Sequence, residues 1–217
     1  MTKKITIIHT TPATIVSIPK QIKEIYKENF EIVNLMDDSL LNEIKEKGEL
    51  TKSVMQRFMQ YVLIAQNNQS DAILLACSSI GVCGNIARSF LSIPLFKIDE
   101  PMAEKAVNLG NRILVLGTVK STMKPTVDLI QSKANSDQHI ESIFIDGVFA
   151  LHESDIDQHD QKIAEVVKAH KDEFDVFVLA QASMAGALRF LDNMDNVLTS
   201  LPLGLYQLKS VLKDEVK

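Results

Sequence analysis

Two short phrases of this chain place polar or reactive side chains at the exits of apolar runs. The first, LLACSSIG at residues 74–81, ends in Cys77, Ser78 and Ser79 before a glycine. The second, VLAQASMAG at residues 178–186, has the same shape, with Gln181 where the first has cysteine and Ser183 further on. A thiol can act as a nucleophile or carry a proton. A carboxamide can only give and take hydrogen bonds. Two more apolar runs end in hydroxyl residues. One leads into His9, Thr10 and Thr11, the other into Gly117, Thr118 and, four residues on, Thr122. Hydroxyls and helix N-terminal amides together suit a small anion such as a carboxylate or a phosphate.

The elements that must position these residues are legible as an alternation. Apolar runs at 5–9, 31–35, 72–76, 95–98, 112–116, 143–146, 175–180 and 196–200 read as strands. Most are continuously apolar, as strands buried on both faces of a parallel sheet are. Between them lie segments with helical spacing. The clearest runs from Thr51 to Gln66, with Thr51 as its cap and Val54, Phe58, Val62 and Ala65 on one face. Helices are also expected over 99–110, 122–134, 159–174 and 203–214, the last a C-terminal amphipathic helix. His159–Asp160 reads as a helix start, and Ser79, Thr118 and Ser183 as possible N-caps. The fold class expected is α/β, with parallel sheets flanked by helices.

The two halves resemble each other. The same offset, 104 positions, separates Cys77 from Gln181 and Ile93 from Val197. KITIIHTT at 4–11 is similar to RILVLGT at 112–118. A duplicated unit follows: two pseudo-symmetric lobes, one of residues 1–96 with 200–217 and one of 97–199. Ligands of parallel sheets lie outside the strand C-termini, where the polar exits fall.

Composition excludes several classes. Net charge is −5, with no basic block and no Trp, so a nucleic-acid surface is not expected. No apolar run approaches the roughly 20 residues of a membrane helix, and the run after Lys3–Lys4 reads as a strand rather than a signal core. Two cysteines make no disulfide scaffold and point to a reducing, cytoplasmic setting. Cys77 and Cys83 have no metal-ligand spacing, and the chain shows no phosphate-loop or dinucleotide fingerprint. Neither a metal nor another cofactor is expected.

ACSSIG, VLGTVKST and VLAQASMAG, in this order and spacing, resemble the motifs of the aspartate/glutamate/hydantoin racemase superfamily over nearly the whole chain. NLMDDSLL at 34–41 and KIDEPMAE at 97–104 resemble those of a racemase-like subset. The resemblance implies a two-lobed α/β fold, an active site between the lobes and no cofactor. It also implies two cysteines that work on opposite faces of a substrate's α-carbon. Cys77 matches the first. Gln181 stands where the second belongs, and an amide is no base. Thr118 and Thr122 match the family's carboxylate-binding loop.

Each residue carries more than one reading. Cys77 is a catalytic thiol by resemblance, or a small buried hydrophobe. His9 is a second proton carrier, or a histidine hydrogen-bonded at a strand end. Thr10, Thr11, Ser78, Ser79, Thr118, Thr122, Gln181 and Ser183 are the candidate substrate contacts. Arg57 reads as a salt-bridged surface residue. The function expected is proton transfer by Cys77 at the α-carbon of a small carboxylate or amino acid, distinct from two-cysteine racemisation. Decarboxylation or isomerisation of a small dicarboxylate, or carboxylate binding without catalysis, are the alternatives. A homodimer is the oligomer expected.

Overall fold

The computed structural model describes residues 2–27, 29–192 and 194–213, with the Lys213 side chain left aside. The tail expected for the first lobe and the end of its C-terminal helix, 214–217, lie outside the described residues. The chain splits into two units. One holds the residues up to Ile98 together with those from Gly204 on, and the other is Asp99–Leu203.

The first unit has the strands β1 (Lys3–His9), β2 (Phe30–Met36), β3 (Ala72–Leu75) and β4 (Leu95–Lys97). They form one parallel sheet in the order β2-β1-β3-β4. Its helices are α1 (Ala13–Tyr26), α2 (Asp38–Lys47), α3 (Lys52–Asn67) and α4 (Gly81–Ala87). The second unit begins with α5 (Glu100–Leu109) and carries β5 (Arg112–Gly117), β6 (His139–Phe144), β7 (Val176–Leu179) and β8 (Val197–Thr199). Its sheet is also parallel, in the order β6-β5-β7-β8. The helices α6 (Lys120–Gln131), α7 (Leu151–Ser154) and α8 (Ile156–Ala169) belong to it. Helix α9 (Ser200–Tyr206) carries the chain back to the first unit, which ends in α10 (Lys209–Lys213).

The alternation of side chains explains the continuous apolar runs. On β5 and β7, Leu114, Leu116, Phe177 and Leu179 pack into one cluster with Ile163 and Met184. Their neighbours Ile113, Val115, Val176 and Val178 pack into another, with Met102 and Ala106 of α5. Both faces of the sheet are dry, so period-2 patterning disappears. In the first unit Phe58, Val54, Val62 and Ala65 of α3 pack with Ile8, Ile73 and Leu75 of the sheet. Thr51 caps α3, accepting the Val54 amide at 3.1 Å.

All eight expected strands form, and the one large shift is instructive. β6 runs from His139 to Phe144 rather than over 143–146. It is a sheet edge carrying His139, Glu141 and Ser142, so only its end reads as apolar. Helix α8 starts at Ile156, not at His159. Asp155 caps it by accepting the Gln158 amide at 3.0 Å, and His159 and Asp160 are buried within it. The expected single C-terminal helix breaks between α9 and α10. Gln207 Nε2 donates to the Gly204 carbonyl at 2.7 Å and to the Lys97 carbonyl at 2.9 Å. The Leu208 amide turns instead to Leu205 O, at 3.1 Å.

Gly204 is where this segment docks. A Cβ there would lie 2.1 Å from the carbonyl oxygen of Ile98, which is backbone and cannot swing away. Gly204→Ala is therefore expected to cost about 1–3 kcal/mol, as overpacking does. Urea unfolding measures it, and an unchanged midpoint would show that the segment docks differently.

Candidate functional site

Each sheet presents the same construction at the C-terminal ends of its two central strands. In the first unit Ile8 pairs with Leu75, and two residues beyond each come Thr10 and Cys77. In the second Leu116 pairs with Leu179, and two residues beyond each come Thr118 and Gln181. The match extends to hydrogen bonds. The Ala76 amide donates to Ile8 O at 3.0 Å, and the Ala180 amide to Leu116 O at 2.9 Å. Four residues after each threonine stands another. Thr14 donates its hydroxyl to Thr11 O at 3.2 Å, and Thr122 donates to Val119 O at 2.8 Å. At the strand entries, Asp71 accepts the Lys4 amide at 2.7 Å and Asp175 accepts the Arg112 amide at 2.8 Å.

Cys77 is extended (φ −149°, ψ 119°) and leads into a 3-10 turn, Ser78–Ile80, that runs on into α4. It is partly exposed and packs against the α3 cluster. Burial of the sulfur raises its pKa above the ordinary thiol value. The Thr10 hydroxyl, the amides of Ser79 and Ile80 and the Ser79 hydroxyl oppose this by favouring a thiolate. At neutral pH the group is a thiol ringed by donors. Thr10 is 1% exposed, and its hydroxyl has no hydrogen-bond partner among the described residues. Ser79 is buried, while Ser78 and Thr11 are half-buried. Cys83, in α4, is fully buried, and burial pushes its thiol up to about 11.

His9 is fully buried at the end of β1. Its Nδ1 lies 2.8 Å from Thr14 Oγ1 and its Nε2 3.0 Å from Asn34 Oδ1. Burial lowers its pKa, with the Asn34 bond pulling the other way. Both ring nitrogens are thus committed within the first unit. Arg57 is also engaged, 2.5 Å from Glu43 and 3.5 Å from Asp37.

In the second unit the counterpart of the thiol is bound up. Gln181 Oε1 accepts the Thr118 amide at 2.8 Å and the Thr118 hydroxyl at 3.1 Å. An amide N–H can only donate, so the atom facing it is the carboxamide oxygen. Gln181 Nε2 then donates to Thr122 Oγ1. Gly117 makes room: a Cβ there would come within 3.0 Å of Gln181 Nε2 and clash with Met123. The cap positions fall beside the expected ones. Val119 precedes α6, Cys77 precedes the first 3-10 turn, and Gln181, not Ser183, precedes the second, Ala182–Phe190. Ser183 is half-buried in that turn. His159 Nδ1 lies 2.8 Å from Asp160 Oδ1, and Asp160 accepts from Arg189 of the same turn at 3.0 Å.

The expected residues therefore assemble as two local sets, Thr10 with Cys77 and Ser79, and Thr118 with Thr122 and Gln181. Thr14 and Asn34, which hold His9, were not expected. The repeated spacing of Thr10 to Thr14 and Thr118 to Thr122 was the signal for the first. Asn34 had none, because its partner comes from a neighbouring strand. Among the described residues no three His, Cys, Asp or Glu side chains gather in a way that could hold a metal ion. No helix among them is long and apolar enough to cross a membrane.

A family model described as Asp/Glu/Hydantoin racemase matches residues 7–199. The chain belongs to this family. Its fold is similar to that of several solved racemases. The glutamate racemase from Bacillus anthracis superposes with a TM-score of 0.73 at 16% identity, covering 99% of this chain and 83% of that one. The allantoin racemase from Klebsiella pneumoniae gives 0.71 at 14%, covering 97% and 88%. The aspartate racemase from Picrophilus torridus gives 0.68 at 15%, covering 96% and 94%. No curated protein matches the chain by sequence. For this member of the racemase family, two sites that are equivalent in fold differ in chemistry: one holds an ionisable thiol, the other a neutral amide.

The thiol's surroundings set its reactivity. Iodoacetamide labelling of Cys77, read by peptide mass, is expected to rise with pH with a midpoint above the roughly 8.5 of free cysteine. Thr10→Val should move it higher by removing a thiolate donor. Cys83 should stay unlabelled until the chain unfolds. A Cys77 midpoint at or below that of free cysteine would contradict the burial effect.

Proposed function

We propose that this chain is a cofactor-independent enzyme of the racemase family that uses Cys77 to transfer a proton at the α-carbon of a small carboxylate or amino acid. The observation that carries the reading is the first unit's strand exit. There the buried Thr10 hydroxyl, which meets no nitrogen or oxygen partner among the described residues, and the Ser79 and Ile80 amides face the sulfur of the partly exposed Cys77 and favour its thiolate. Cys77 supplies the proton, Thr10 and Ser79 steady the thiolate that remains, and Ser78 and Thr11 are the further contacts within reach of the same turn.

Inversion needs a proton-transfer group on each face of the α-carbon. Gln181 cannot be one, and His9 has both ring nitrogens occupied. The reading is therefore single-group chemistry. The direction of the Cys77 shift favours one form of it, protonation of a carbanion that forms without a protein base. In decarboxylation of a malonate-like acid the C–C bond breaks, CO2 departs, and its electron pair stays on the α-carbon as an enolate. The thiol protonates that carbon, and water reprotonates the thiolate. The solved relatives are glutamate, allantoin and aspartate racemases, and a two-sided racemisation is the reaction this site is least equipped to perform.

The test is to incubate the protein in D2O with L- and D-aspartate, L- and D-glutamate and malonate-type acids, following α-protons and substrate loss by NMR. Little or no inversion of aspartate and glutamate is expected. Deuterium entry without inversion, or decarboxylation, should depend on Cys77. Cys77→Ala should abolish it and Cys77→Ser leave a trace. Fast inversion by the wild type would mean that a second base exists. Binding without exchange or decarboxylation would make the chain a carboxylate-binding protein.

A further inference from the structure

The two strand exits are built alike and filled differently. In the first, the hydroxyl of Thr10 is buried with no partner among the described residues, beside the sulfur of Cys77. In the second, the equivalent hydroxyl of Thr118 and the Thr118 amide both point at one oxygen, Oε1 of Gln181, at 3.1 Å and 2.8 Å. The remaining hydroxyl of the turn, that of Thr122, takes the other end of the same carboxamide. It also donates its own proton to Val119 O at 2.8 Å, so it has none left for a ligand. The two donors that an anion could use in an open turn, the Thr118 amide and hydroxyl, are consumed by one side chain.

The arrangement is that of a bound ligand. An sp2 oxygen accepts an N–H and an O–H at the entry to α6, a helix of 12 residues. A carboxylate oxygen would accept the same pair and gain from charge as well. Gln181 has the length to bring its own oxygen there, and Gly117 leaves the space for its nitrogen. We propose that Gln181 is an internal ligand of the Gly117–Thr122 turn, a positioning residue that keeps this turn closed to anions, whereas no carboxamide fills the Thr10 turn. The consequence is asymmetric recognition. Anion binding is confined to the first unit's donors, and the second unit's own turn is neutral and filled. This deepens the proposed function and rests on its premise that these turns receive a small carboxylate.

The experiment is a malonate titration of the 15N-labelled whole protein, read at the Thr118 amide, with folding checked by circular dichroism. In the wild type that amide should not respond. In Gln181→Ala the freed amide and hydroxyl should bind malonate, with half-saturation at least tenfold lower than any wild-type response at Thr118. Gln181→Glu places a carboxylate on the same donors, so Thr118 should again be silent and anions repelled. A purely structural role would make both variants behave alike, whereas the proposal requires them to differ in this way. If Gln181→Ala does not fold, Gln181→Ser, equally short, is titrated in its place. A Thr118 response in the wild type equal to that of the variant, or none in either, overturns the proposal. Cys77-dependent exchange makes no use of Thr118, so that assay can succeed where this one fails, and the reverse.

Discussion

A threonine just past the central strand of a parallel sheet has to put its hydroxyl somewhere. In this chain Thr10 and Thr118 stand at that point, both buried, in turns whose backbone is tied in the same way by a second threonine four residues on. The residue that decides the outcome comes from the neighbouring strand, two positions beyond its last pair. A thiol there leaves the hydroxyl poised beside an ionisable sulfur. A carboxamide there satisfies the hydroxyl and the adjacent amide together. The rest of each unit is scaffolding for this junction. Strands with both faces dry fix the heights of the two exits relative to each other, and the strand register leaves no freedom to slip.

This explains why the exchange of cysteine for glutamine leaves the architecture intact. An ammonium in the Gln181 position would find the Thr118 amide and hydroxyl, both donors, facing it and would have no acceptor there. A neutral amide finds a partner for both of its ends. What is lost is proton transfer, because an amide titrates nowhere near neutral pH. The second unit thus trades a reactive group for local order, and the same lobe packs as well as its partner lobe in sequence. Its clusters around Phe177 and around Val176 are as deeply buried as the cluster around Phe58.

Much of this was legible before any coordinates. Strands such as 112–116 and helices such as 51–66 announce themselves because burial on both faces, or a cap followed by helical spacing, is a local property of the chain. The likeness of the two halves showed in the 104-position offset between Cys77 and Gln181, which follow β3 and β7, strands of four residues each. Three features were not legible. The edge strand β6 hides because solvent lets His139 and Glu141 sit where a central strand needs apolar residues. The break at Gln207 depends on a carbonyl of Lys97, a contact that no local pattern encodes. At the site, the types of Cys77, Thr118 and Gln181 were readable, but their pairing was not, because Thr118 and Gln181 are 63 positions apart in the sequence.

The distinction between type and pairing changes the chemical reading of the chain. From types alone, Thr118 reads as a carboxylate donor or an N-cap, Thr122 as a carboxylate donor, and His9 as a second proton carrier or a histidine hydrogen-bonded at a strand end. In the fold their hydrogen-bonding capacity is spent inside the protein, on Gln181 for the threonines and on Thr14 and Asn34 for the histidine. The Thr10 hydroxyl, by contrast, has the Cys77 sulfur beside it and no nitrogen or oxygen partner among the described residues. A lone thiol held protonated by burial is a poor base and a serviceable acid, since the proton it holds at neutral pH is the one it can give. The chemistry suited to such a group is one in which the carbanion arises by loss of a leaving group rather than by abstraction of a proton. That places the energetic burden on the departure of the leaving group and leaves the protein to supply one proton from one side. The fold accommodates this, because each unit carries a turn of its own at the exits of its central strands.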